Sequence, residues 1–133
     1  MSAVAGGGAG APRLAALRGA TTLDTDSRDE VMARTTEMLG ALLERNALAP
    51  DDIVSLLFTA TEDIHSEFPA AAVRAAGISD VPMICARELA IEGGSGIPLC
   101  VRVLAHIYTG RPRAQLHHAY LRNARQLRSD LPE

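Results

Sequence analysis

The chain has 133 residues, 47% of them hydrophobic and only 3% aromatic, and carries a formal net charge of -3. That is the length of one domain with an aliphatic, alanine-rich core, and the slight acidity and scarcity of stacking aromatics argue against a general nucleic-acid binder. All 13 basic residues are arginine; this excludes Schiff-base catalysis, a pyridoxal-phosphate lysine and a Walker A lysine, and leaves planar guanidinium forks to meet any anion.

The charge is unevenly spread. Residues 1–69 hold 11 acids against 5 arginines, and residues 70–133 hold 5 acids against 8 arginines. A small anionic ligand bound by the second half fits that asymmetry, as does a solvated charged face. Two cysteines, Cys85 and Cys100, make no disulfide framework, and no stretch approaches the length of a membrane helix. Residues 1–12, MSAVAGGGAGAP, lack the basic and apolar regions of a signal peptide. They read as a flexible tail, with the cytoplasm as the expected compartment.

After that tail, residues 13–22 read as a short strand closed by Gly19, with Arg18 at its end. Ser27 and Glu30 form a capping-box pattern, and Val31, Met32, Thr35, Met38, Leu39, Leu42 and Leu43 recur at helical spacing. That periodicity predicts one amphipathic helix of about five turns, ending near Asn46. Pro50, Asp51 and Asp52 interrupt the chain before residues 53–61, a continuous apolar run of strand length. Pro69 opens a predicted short helix over residues 70–76, with Gly77 as its stop. Residues 81–85 are a third strand, 99–108 a fourth and 116–121 a fifth, followed by an arginine-rich segment and a short tail at 129–133.

That order describes an α/β (α+β) domain over residues 13–128: a mixed five-stranded sheet with one long amphipathic helix and one short helix. One long helix cannot cover five strands. The bare face is therefore expected to meet a symmetry mate, which predicts a homo-oligomer.

The four histidines, His65, His106, His117 and His118, show no short repeated metal-ligand spacing with each other or with the cysteines, and the adjacent pair should point to opposite faces of a strand. No metal is expected. Cys85 has no nucleophile elbow around it and reads as an inert, buried thiol. The glycine loop at residues 93–96 lacks the dinucleotide fingerprint and reads as a turn. Four residues resist such plain readings: Arg18, Arg74, Arg102 and Glu88. Arg102 stands in an apolar run between Cys100 and Leu104, and an unpaired buried guanidinium is costly, so a bound anion is the simplest reason for it. Arg111, Arg113, Arg122 and Arg125 read as ordinary solvated charges.

RGATTLD at Arg18, FPAAAVR ending in Arg74, VPMICARELAI through Cys85 and Glu88, CVRVLAHI through Arg102, and AYL at Tyr120 together resemble the small monofunctional chorismate mutases of the homotrimeric α/β-barrel type. The resemblance spans nearly the whole chain after the tail, in order and at near-constant spacing. It implies a homotrimeric pseudo-barrel with active sites between subunits, and isomerisation of chorismate to prephenate without a cofactor. It further implies that Arg18 and Arg102 meet the substrate carboxylates, that Arg102 reaches its ether oxygen, and that Arg74 guards the mouth of the site. Glu88 and the Cys85 region would hold the ring hydroxyl, with Phe68, Ala70, Met83, Ile84 and Tyr120 lining the pocket. Leu127 and Arg128 belong to a segment that closes over it. The chain departs from the family pattern at Ala71, where relatives can carry lysine, at Ile84, where threonine can precede the cysteine, and in a longer glycine loop. Two other readings fit the same architecture: a trimeric enamine/imine deaminase-like protein and a non-catalytic ligand-binding trimer.

Overall fold

Side chains that alternate between exposed and buried from Ala16 to Gly19 and are buried from there to Thr22 build the first strand, β1, over Arg13–Thr22. In chain order there follow α1 (Arg28–Arg45), β2 (Ile53–Ala60), α2 (Pro69–Ala75), β3 (Met83–Arg87), β4 (Cys100–Thr109) and β5 (Ala119–Tyr120), with short 3-10 turns at Pro50–Asp52, Arg113–Gln115 and Arg122–Arg128. The computed structural model describes residues 10–94 and 96–128; of the expected tails at 1–12 and 129–133, residues 1–9 and 129–133 lie outside the described residues. No helix among the described residues is long and apolar enough to cross a membrane.

The sheet runs in the order β3-β2-β4-β1-β5. β4 pairs antiparallel with both β1 and β2, whereas β3 and β5 add in parallel at the two edges. Because β1 and β2 point the same way, α1 crosses over the strand between them, and α2 makes the next parallel crossover to β3. The two helices touch each other, and the core lies between them and the sheet. Leu17, Val31, Met38, Leu42, Leu56, Phe58, Val73, Val101 and Ile107 are fully buried there.

The helix start is built differently from the expected reciprocal box. The Ser27 hydroxyl accepts from the Glu30 amide at 3.2 Å, but the Glu30 carboxylate reaches further back, to the Asp24 amide at 2.7 Å and the Thr25 hydroxyl at 2.7 Å. It thereby ties down the turn that leads from β1 into α1.

Three expected boundaries are corrected. Gly19 does not close β1, and Arg18 is interior to that strand. A methyl group on Gly19 would lie 3.0 Å from Val103, 3.1 Å from Leu42 and 3.2 Å from Met38, so the glycine is what lets α1 approach the sheet. The third strand starts at Met83, after Pro82, which has no N–H to give a ladder, and continues to Arg87. The fifth strand shrinks to Ala119–Tyr120. Its expected first residues are drawn off the ladder, because His117 gives its N–H to Asn46 Oδ1 (2.7 Å) and its carbonyl to Asn46 Nδ2 (2.8 Å). Asn46 is buried at the end of α1 and also donates to the Leu42 carbonyl at 2.8 Å.

Among the described residues the other sheet face is covered at one end, where Ala124 and Leu127 of the last 3-10 turn pack against Ala20, Cys100 and Tyr120, and the rest of it is left open. Leu14 is 57% exposed, Leu57 38%, Ile84 61% and Tyr108 49%. This leaves an apolar surface of the kind that usually marks an interface.

Candidate active site

Register places the key side chains in two rows across the uncovered face. One row runs Tyr120, Ala20, Arg102, Thr59 and Ala86, each the direct partner of the next on the neighbouring strand. The row beside it runs Arg18, Leu104, Leu57 and Ile84. Arg18 and Arg102 are therefore diagonal neighbours on adjacent strands, about 7–8 Å apart at the backbone. Arg102 is not enclosed by the apolar residues around it in sequence. Val101 and Val103 point to the core, and the Arg102 side chain is 47% exposed on the opposite face.

Glu88, the first residue after β3, meets this row from the side. Its Oε2 lies 3.5 Å from Arg102 Nε and accepts a short hydrogen bond from the Thr59 hydroxyl. Its amide is fixed by the Ala60 carbonyl at 3.0 Å. One carboxylate oxygen is thus held by both Thr59 and Arg102. Thr59 was missed by sequence reasoning. Its signal is of the same kind as that of Arg102: a polar side chain inside an apolar strand, at the position that faces away from the core.

Glu88 and Arg102 line a depression of about 500 Å³ with Leu89, Ile91, Pro98 and Leu127. Tyr120 and Leu127 pack against Ala20, Cys100 and Ala124 beside it. Burial raises the Cys100 thiol above its ordinary value, so it is a neutral wall group. At the β1 edge, the Arg18 amide donates to His118 Nδ1 at 2.9 Å. Burial, then the nearby Arg18 and Arg128 charges, hold the His118 imidazole below its ordinary value, which keeps that nitrogen an acceptor.

The remaining expected residues lie elsewhere. Phe68 and Cys85 line a second depression of about 460 Å³ with His65, Ser66 and Arg87. Phe68 caps α2 and is exposed, and Arg74 is exposed on the same helix. Ala70 is buried in the core, and Met83 and Cys85 are half-buried against it, while Ile84 faces outward. Cys85 is thus less buried than the sequence suggests. Arg128 ends the described chain, in the last 3-10 turn. Arg122 is not a plain solvated charge: its fork meets the Glu37 carboxylate at 3.0 and 3.1 Å. Arg111 also has a partner, donating to the Arg45 carbonyl at 3.3 Å.

A family profile, Chorismate mutase type I, matches residues 14–131. Chorismate mutase AroH of Bacillus subtilis (strain 168) is 39% identical over 116 residues, which is 86% of this chain and 90% of the relative. Chorismate mutase AroH of Thermus thermophilus is 39% identical over 116 residues, 86% of this chain and 93% of the relative. Among solved structures, a chorismate mutase from Clostridium thermocellum superposes with a TM-score of 0.81 at 35% identity, covering 84% of this chain and 98% of the other.

Proposed function

This chain belongs to the chorismate mutase type I family, and we propose that it rearranges chorismate to prephenate, in aromatic amino acid biosynthesis, on the row formed by Arg18, Arg102 and Glu88. The observation that carries this reading is Arg102, diagonal to a second arginine and paired with Glu88, which Thr59 in turn holds.

Chorismate is a dianion with a ring hydroxyl, and its rearrangement is a concerted pericyclic shift. As the ether C–O bond lengthens ahead of C–C bond formation, negative charge grows on the ether oxygen. A fixed guanidinium aimed at that oxygen stabilises the transition state more than the ground state, an effect worth about 3–4 kcal/mol for one preplaced donor. Arg18 and Arg102 hold the carboxylates and the free oxygen of Glu88 accepts from the ring hydroxyl. Together they restrain the substrate in the compact chair that brings its reacting carbons together. Arginine serves here better than lysine because its fork fixes direction as well as charge. No proton moves in this chemistry, so the residues act by charge and shape alone.

The second depression supports a site shared between copies of the chain. Phe68 and Arg74 are exposed on α2, away from the Arg102 row, and the apolar rows of the uncovered face offer a surface for a neighbouring subunit. We propose a homotrimer in which Phe68, Arg74, Ile84 and the Cys85 backbone of one subunit complete the pocket of the next, Tyr120 lines it, and Leu127 and Arg128 close over it. The decisive experiment is the loss of chorismate absorbance with purified protein and identification of the product. Stoichiometric prephenate supports the reading, and unconsumed chorismate ends it.

A further inference from the structure

Residues 61–64, just after β2, form a turn bonded to β4 on one side and to β3 on the other. The Asp63 carboxylate accepts from the Thr61 hydroxyl at 2.5 Å and from the Leu99 amide at 2.9 Å. The Thr61 hydroxyl oxygen in turn accepts from the Cys100 amide at 2.9 Å, and the Thr61 amide donates to the Cys100 carbonyl at 3.0 Å. From β3, Arg87 Nη1 donates to the carbonyls of Thr61 (2.5 Å) and Ile64 (3.0 Å).

Leu99 is the unusual member. Its φ is 51°, a left-handed conformation that a bulky side chain adopts only when its surroundings enforce it. Asp63 holds its amide, and the Leu23 amide holds its carbonyl at 2.8 Å. Leu99 leads directly into β4, three residues before Arg102, while Arg87 immediately precedes Glu88. A single carboxylate thus braces the approach to one member of the Arg102–Glu88 pair and, through Thr61 and Arg87, the approach to the other.

We propose that Asp63 is a positioning residue for the rearrangement. It fixes the strained entry of β4 relative to the end of β3, and so sets the direction of Arg102 against Glu88. One of its oxygens accepts from Thr61 and the other from Leu99, so although Asp63 also lines the depression shared by Glu88 and Arg102, its carboxylate is engaged in tying the two segments together. The inference rests on the reading of Arg102 and Glu88 given above.

The test is the steady-state kinetics of Asp63→Ala with chorismate, alone and combined with Leu99→Gly. A misdirected guanidinium should lower kcat by on the order of 10-fold to 100-fold, with KM changed far less. Glycine enters the left-handed region without help, so adding Leu99→Gly should recover part of kcat. The same change removes side-chain packing from the core edge and should lower Tm. A gain in kcat accompanied by a loss of Tm is a signature that a merely structural role for Asp63 would not give. Normal kcat in Asp63→Ala, a loss confined to KM, or no recovery with Leu99→Gly would each overturn the proposal. If Asp63→Ala does not fold, Asp63→Asn, which keeps the volume and one acceptor oxygen, carries the same comparison: reduced kcat at normal Tm supports the proposal and unchanged kcat overturns it. A parent protein inactive on chorismate would instead remove the underlying reading of the site.

Discussion

Val101, Val103, Ala105 and Ile107 on one face of β4 are at most 4% exposed, whereas on the other face Arg102 and Tyr108 stand open and Leu104 and His106 are half-covered. The same ten residues serve two ends. On the covered face what matters is volume, since a carbon added at Gly19 would lie 3.0 Å from Val103, 3.1 Å from Leu42 and 3.2 Å from Met38, which would have to give way. On the uncovered face what matters is direction and charge, supported by apolar rows that one chain leaves bare. Damage to the two faces should therefore be separable, and the largest effect belongs to the open one. Arg102→Ala should fold normally yet lose roughly 10²–10³-fold in kcat, the value of one preplaced donor, with Arg102→Lys restoring only part. Its half-exposed pairing with Glu88 contributes little to stability, so a large fall in Tm for Arg102→Ala would break the comparison.

Covered-face features were legible because they repeat. The spacing of Val31, Thr35, Met38 and Leu42 gives α1, and the continuous run at residues 53–61 gives β2, each to within a residue of its observed end. Arg102 and Glu88 were legible for the opposite reason, as charges out of place in apolar surroundings. Contacts between distant residues left no local trace. Nothing near Asn46 shows that its side chain takes both backbone groups of His117, which is why β5 read as six residues and is two. Arg122 read as solvated because Glu37, its partner, is 85 positions away. Gly19 looked like a strand end because a glycine that admits a helix and one that ends a strand are the same letter.

The next effect concerns assembly. On the proposed homotrimer, Leu57→Asp puts a charge among the apolar rows of the open face and should leave the chain folded but give a monomer in light scattering, with activity lost in parallel. A Leu57→Asp protein that remains trimeric and active would show that this face is not the interface. Smaller still is the covered-face counterpart. Gly19→Ala should lower unfolding stability by about 1–3 kcal/mol through overpacking, seen as a lower urea midpoint at unchanged slope, while kcat of the folded enzyme stays near that of the parent.

The smallest effect is one of pH. His118 is held below its ordinary pKa in the folded chain, so the unfolded chain takes up its proton first. The stability due to neutral His118 is fully present above about pH 6.5 and declines as pH falls from there through the lowered folded value. Urea midpoints across pH 5–8 should show this acid decline in the parent and a shallower one in His118→Gln. Equal slopes would mean that the bond from the Arg18 amide is dispensable.

β5 has one more consequence. Its two residues pair with Gly19 and Ala20, about a hundred positions earlier, and it depends on Asn46 and His118 as much as on its own ladder. Pairing across so long a loop carries the full loop-closure entropy and is a late event in folding. During synthesis the β1 edge stays open until residues 119–120 have left the ribosome, so the wall that Tyr120 builds beside Arg102 comes after both arginines. A chain that ends before Ala119 can thus contain Arg18 and Arg102 and still lack the wall beside them.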